Sequence, residues 1–334
     1  MSHNNTIKTS NNEETSLIQV NDNVTLNIGS CDDFIKTLDD RTVQMIYLDP
    51  PFNSDRNYTM SVDSNVGFDD KWTDETYEKF IDDTINGLKR LLKLDGTLYF
   101  HISAACMLIP HKVLVKHFKC VTPIFWKKCR SKNNVKRKLG ATIDVIFKCN
   151  LIDKPKFNVV LQEKDENYLK NSFNNKDSRG NYSLGHLVTE KTKKGYDYEF
   201  ESNGVVYNPP SGWRIKKTEL EKLKLEDRIH FPKKTNSNLY KKIYLSENPG
   251  KPCTDLWDDI HSISQGSEGR KYPTAKPVKL LERLVSISTD KDDFILDPMC
   301  GSGTTGSACY NLDRKCLLND MNLDVVDIVK SRFS

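Results

Sequence analysis

The chain has 334 residues, 37% of them apolar and 29% charged, a size that fits two domains or one large α/β domain with an insertion. That composition excludes disorder over the whole length, and no apolar run nears the roughly 18–20 residues of a membrane span; near position 105 the longest run, 104–109, has six residues. The formal charge of +4 excludes nothing by itself, so its distribution matters more than its sum.

Residues 1–16 are rich in Asn, Ser and Thr and read as a disordered tail with no secretory signal. A short strand is expected at 24–28 and one or two helical turns at 32–38. The run 43–48 reads as a buried strand stopped by Asp49-Pro50-Pro51. Residues 53–72 are polar and loop-like. Tyr77, Phe80, Ile81, Ile85, Leu88, Leu91 and Leu92 keep the helical period, predicting a helix over 74–94 closed by Gly96. Further strands are expected at 97–102, 121–126 and 142–148, with a helix at 111–118. From about 150 to 250 the chain is polar and dotted with aromatics, and reads as a smaller domain. Regular alternation then resumes: a helix from Pro277 to Ser288, a strand at 293–296, a glycine loop, a helix at 304–311, a strand at 315–318 and a last helix from about Leu323. The alternation predicts an α/β fold with a doubly wound sheet.

Two stretches concentrate positive charge. Between Lys112 and Lys148 there are eleven Lys/Arg and one acid, around Lys127, Lys128 and Arg130; between Gly212 and Lys251 there are eleven basic and five acidic residues. Such bands can neutralise phosphates and steer a polyanion. Nine cysteines without a C-x-x-C pair argue against a disulfide framework or a zinc site, and for a reducing, intracellular setting. No metal is expected.

Gly301 to Gly306 matches G-x-G-x-x-G after a strand and before a helix, which by itself suggests nicotinamide binding. Asp297 ends that strand, where a carboxylate would face a pyrophosphate; it suits a cofactor with a cationic amino acid part. Asp320 ends the next strand, placed for ribose hydroxyls. Only about 30 residues follow the loop, too few for the rest of a dinucleotide fold. The missing strands must come from the N-terminal half, so the sheet is circularly permuted.

Asp49-Pro50-Pro51-Phe52 closes a strand at the edge where open α/β sheets bind ligands. The arrangement suits alkylation of an aromatic amine, whose lone pair is delocalised. Asp49 and the Pro50 carbonyl can each accept one amino hydrogen, which frees the lone pair. The prolines hold the carbonyl rigid and Phe52 offers a stacking face.

With these two motifs in that order, the sequence resembles the β group of S-adenosylmethionine-dependent DNA amino-methyltransferases, the N6-adenine/N4-cytosine family that includes modification subunits of restriction systems. Tyr47 to Ser54 resembles the catalytic motif, Leu98-Tyr99-Phe100-His101 the strand after the next helix, Tyr272 to Arg283 the element lining the methionine end of the cofactor, and Leu296 to Thr305 the cofactor loop. The resemblance implies a Rossmann-like permuted sheet with residues 17–150 as its catalytic half, 151–260 as an inserted target-recognition domain, and 261–334 as its cofactor half. It implies catalysis by Asp49, Pro50, Pro51 and Phe52. It implies cofactor contacts from Asp297, Pro298, Met299, Cys300, Gly301, Gly303, Thr304, Thr305 and Asp320, from Thr274 and Lys276, and from Ser30, Cys31 and Asp32. Double-stranded DNA is the expected partner, met by Lys127, Lys128, Arg130, Trp213 and Arg214; a homodimer and a nuclease partner stay open.

Two departures stand out. Ala275 replaces a frequent Gln, and Ser30 stands where the family usually has the Asp that contacts the cofactor's adenine. A catalytically dead DNA-binding relative is therefore an alternative, as is an N4-cytosine enzyme; a motif that begins with Asp points to adenine. His101 ends a strand at the ligand edge, open to ligand contact or to a structural hydrogen bond, and Trp213 is open to base stacking or to a core role.

Overall fold

The computed structural model describes residues 17–54, 56–59, 67–129, 139–162, 166–232, 237–247, 250–263 and 275–333. The expected tail, Arg130 and Thr274 lie outside them. One compact unit comprises the chain up to Val160 and from Thr254 onward, the other Leu161–Cys253. The second unit thus starts later and ends earlier than the 151–260 that the resemblance implies. Leu256–Trp257 lies in the main sheet, parallel to Cys120–Lys127.

That sheet runs, edge to edge, through Ile18–Gln19, Val24–Ile28, Lys315–Asp320, Phe294–Asp297, Val43–Leu48, Leu92–Ser103, Ile143–Asn150, Cys120–Lys127 and Leu256–Trp257. The two strands from the C-terminal end sit between strands of the N-terminal half. Phe294–Asp297 pairs in parallel with both Lys315–Asp320 and Val43–Leu48. This is the permuted, Rossmann-like order, and it brings Asp49 and Asp297 to the same carboxyl edge.

All six residues of Val43–Leu48 are buried, as expected for a strand covered on both faces. Met45 and Tyr47 join the core formed with Leu280, Leu284 and Val329. Ile46 and Leu48 join the core formed with Phe34, Ile81, Ile85 and Val113. The helix Asp74–Leu91 starts at a Thr73–Thr76 capping box and buries Tyr77, Ile81, Ile85, Leu88 and Leu91; each large apolar side chain so buried contributes about 1.5–3 kcal/mol.

Two local expectations need correcting. The helix ends at Leu91, not Leu94, because Leu92 pairs with Val43 and opens the long strand. Gly96 lies inside that strand, where a Cβ would come within 3.0 Å of the Gln44 carbonyl oxygen. The expected loop at 53–72 contains an antiparallel hairpin, Arg56–Thr59 with Gly67–Asp70.

The smaller unit has a core of Leu187, Phe200, Trp213, Leu220, Leu223, Ile229 and Leu239. Its four-stranded sheet is built from Asn175–Asp177, Gly180–His186, Tyr240–Tyr244 and Ile229–His230. Trp213 is 1% exposed, stacks on Tyr198 and donates its indole hydrogen to the Tyr198 carbonyl. It is a core anchor and has no face left for a base.

Candidate active site

A cavity of about 720 Å³ opens at the carboxyl edge of the sheet. Its wall gathers the Asp49–Phe52 turn, Ser30–Asp32, Lys276 and the loop from Asp297 through Thr305, with Asp320 beside them. Gly303 shapes the loop from outside that wall. Lys127 and Lys128 are not in it, and Trp213 and Arg214 belong to the other unit. Arg214 is engaged with Glu190 and the Val188 carbonyl.

The Asp-Pro-Pro turn is held from three sides. Tyr77 donates its hydroxyl to the Pro51 carbonyl at 2.7 Å. Asn53 takes a left-handed conformation, φ 55°, which Asn tolerates better than most residues. The buried Asp70 carboxylate accepts from the backbone of Asn53 at 2.8 Å and of Ser54 at 2.9 Å. Trp72, stacked on Phe80 at 4.9 Å, completes this side of the cavity. None of Asp70, Trp72, Tyr77 or Phe80 was singled out as a site residue in the sequence. The signal available was Asp70-x-Trp72 just before a helix start.

Asp49 itself is divided between two environments. One carboxylate oxygen accepts from the Lys276 ammonium, which also lies 5.8 Å from the Phe52 ring centre. The other oxygen, Oδ1, is buried and meets no hydrogen-bond partner among the described residues. A buried acceptor left open costs about 1–3 kcal/mol, and it is the atom positioned to take a donor from a ligand.

Across the cavity, Asp297 is 2% exposed and accepts from the Thr305 hydroxyl and the Met299 amide. Burial foremost, with repulsion from Asp49 and Asp320, pushes its carboxyl up to about 7 against those donors. Burial also raises Asp320, whose oxygens take the amides of Gly301 and Asn322. Asn319, fully buried, ties the loop to the strand Val24–Ile28 and its end through the Pro298 and Gly29 carbonyls and Asn27. Three carboxylates around one cavity favour a cationic ligand. A cofactor with a cationic amino acid part fits this donor set; a pyrophosphate does not.

Ser30 caps the helix Cys31–Lys36 by accepting from the Asp33 amide at 3.4 Å. The side chain standing in the family's acidic position is thus used locally, while Asp32 also lines the cavity. Burial pushes the Cys31 thiol up to about 12, so it is a neutral wall group.

Gly303 has φ 73°, and a Cβ there would sit 2.7 Å from a Val329 methyl. Gly303→Ala is expected to cost about 1–2 kcal/mol through the left-handed backbone alone. Thermal denaturation should register it as a lower midpoint; an unchanged midpoint would mean that the loop relaxes freely.

The family model described as DNA methylase (N6_N4_Mtase) matches residues 43–331. The chain is 28% identical over 301 residues to the type II methyltransferase M.EcaI of Enterobacter cloacae, covering 88% of this chain and 65% of that protein. It therefore spans less than two thirds of that relative. It is 22% identical over 292 residues to the DNA adenine methyltransferase YhdJ of Escherichia coli (strain K12), covering 87% of this chain and 76% of that one. The solved structure of PvuII DNA methyltransferase (cytosine-N4-specific) matches with a TM-score of 0.54 at 14% identity, over 93% of this chain and 86% of that chain, a likeness of fold. With a match that runs from the Asp-Pro-Pro strand through the glycine loop to the last helix, the chain belongs to the DNA methylase family.

Proposed function

We propose that the chain is an S-adenosylmethionine-dependent DNA methyltransferase acting on the exocyclic N6 of an adenine flipped out of the duplex. The observation that carries this reading is Asp49 Oδ1, a buried acceptor without a partner among the described residues, in the wall of the cavity that also holds Asp297 and Asp320. When bound, S-adenosylmethionine supplies a methyl group activated by a sulfonium. Asp297 is placed to hold its ammonium and Asp320 its ribose. Asp49 Oδ1 and the Pro50 carbonyl accept the two amino hydrogens of the base and free its lone pair; Asp49 or water then takes the surplus proton. The Lys276 ammonium, in contact with Asp49, offsets the repulsion among the three carboxylates. Phe52 stacks on the base, whose extrusion costs a few kcal/mol. Asp32 in the same wall speaks against the inert DNA-binding alternative.

The leading Asp of the motif favours adenine, as does the name of the YhdJ relative. The same acceptors would serve cytosine N4, the specificity named for the PvuII enzyme of similar fold. Lys127 and its neighbours are proposed to meet duplex phosphates. Lys128 does so only in part, since Asp144 already takes its ammonium at 2.7 Å. Sequencing DNA from a host expressing the protein, with detection of modified bases, tests the reading: N6-methyladenine at one position of a short motif is expected, and N4-methylcytosine alone would overturn the choice of base.

A pH dependence follows from Asp297. Its carboxyl sits near 7 without ligand, and a bound cation favours the ionised form, so binding must release a proton below that pH. Cofactor affinity is expected to rise between about pH 6 and 8 and then level off. Calorimetry in two buffers of different ionisation enthalpy would detect the released proton; affinity flat across this range would contradict the assignment.

A further inference from the structure

Beneath the Asp49 turn, four polar side chains form a chain across four adjacent strands or their ends. The Tyr47 hydroxyl lies 2.7 Å from His101 Nδ1, His101 Nε2 lies 3.4 Å from Asp144 Oδ2, and Lys128 Nζ lies 2.7 Å from Asp144 Oδ1. His101 is 0%, Asp144 2% and Tyr47 3% exposed, so the chain is buried up to its Lys128 end. Such a network is costly unless every member is satisfied, and a satisfied one fixes a single arrangement.

Burial works against the charge of Asp144, but His101 and Lys128 outweigh it and hold the carboxyl below its usual range. An ionised carboxylate only accepts, so the hydrogen of this contact belongs to His101 Nε2. The other ring nitrogen, Nδ1, shares a hydrogen bond with the Tyr47 hydroxyl. Burial and the nearby carboxylates, Asp49 first among them, raise the tyrosine well above its usual range and keep it protonated. His101 is thereby held in orientation between Tyr47 and Asp144. Its ring lies edge-on to Trp126, with centres 5.6 Å apart, and 6.1 Å from the ring centre of Phe52 at 31°. Tyr47 and Phe52 both line the cavity.

We propose that Tyr47, His101, Asp144 and Lys128 form a positioning relay that fixes the floor under Phe52, and through it the target base against Asp49. The proposal rests on the reading of the cavity as a methyl-transfer site. These are positioning residues; the relay moves no proton in the reaction.

The test is steady-state methyl transfer to unmodified bacterial DNA by the full chain, with S-adenosylmethionine affinity measured in parallel. Tyr47→Phe, the mildest change, is expected to lower kcat about tenfold or more while cofactor affinity stays within about threefold, since misplacement lowers the rate without removing binding contacts. His101→Asn, which keeps a hydrogen-bonding group near the Nδ1 position, should recover part of the turnover lost in His101→Leu. An unaltered kcat in Tyr47→Phe, or equal losses in the two His101 variants, would overturn the relay. So would kcat and cofactor affinity falling together in Tyr47→Phe. A wild-type chain that transfers no methyl to DNA would instead overturn the reading on which the relay rests, and the relay with it.

Discussion

Replacing Asp49 by alanine is expected to lower methyl transfer by on the order of 10²-fold or more, the scale of losing a hydrogen-bond acceptor that acts in the transition state. Cofactor affinity should change only a few-fold, because Asp49 has Oδ1 open for the proposed target amine and gives its other oxygen to Lys276. The alanine also leaves the Lys276 ammonium without that partner, which works against a cationic ligand, while removing a carboxylate that repels Asp297. Turnover and cofactor affinity measured on the same preparation separate these effects. A variant that keeps more than about a tenth of wild-type turnover would remove Asp49 from the mechanism.

Asp297→Ala is expected to do the opposite: cofactor affinity should fall about 10- to 100-fold, the range for losing a charge-assisted contact. The Thr305 hydroxyl and Met299 amide, which now donate to this carboxylate, would lose their acceptor. Part of the loss should therefore appear as lower stability of the loop. Asp297→Asn keeps the shape and isolates the charge. Equilibrium binding of S-adenosylmethionine to both variants checks this; affinity unchanged in both would mean that the ammonium sits elsewhere.

The sheet was legible where one segment carries its own signal. The Asp-Pro-Pro motif ahead of the glycine loop marks the permuted strand order that the sheet has, and the helix Thr304–Asn311 has the expected bounds. The two motifs at strand ends were legible because open sheets place ligands there. What holds them in place was not. Asp70 reaches Asn53 and Ser54 from 17 and 16 residues away, and Asn27 meets Asn319 across 292 residues; neither pairing leaves a local period. The smaller unit was opaque for a related reason. Its strands, such as Ile229–His230 and Phe200–Ser202, are too short to show alternation. Trp213 reads equally as a base platform or a core anchor until Tyr198 is seen stacked on it.

The Asp49 turn and the Asp297 loop line one cavity, and the reaction proposed for it is alkylation of an exocyclic amine. The direct measurement is mass analysis of nucleosides from DNA incubated with the purified chain and S-adenosylmethionine carrying a labelled methyl group, with the Asp49→Ala variant alongside. Label is expected in N6-methyladenine with the wild-type chain and nearly none with the variant. Label in a ring-carbon product such as 5-methylcytosine, or equal labelling by both proteins, would contradict the proposed reaction.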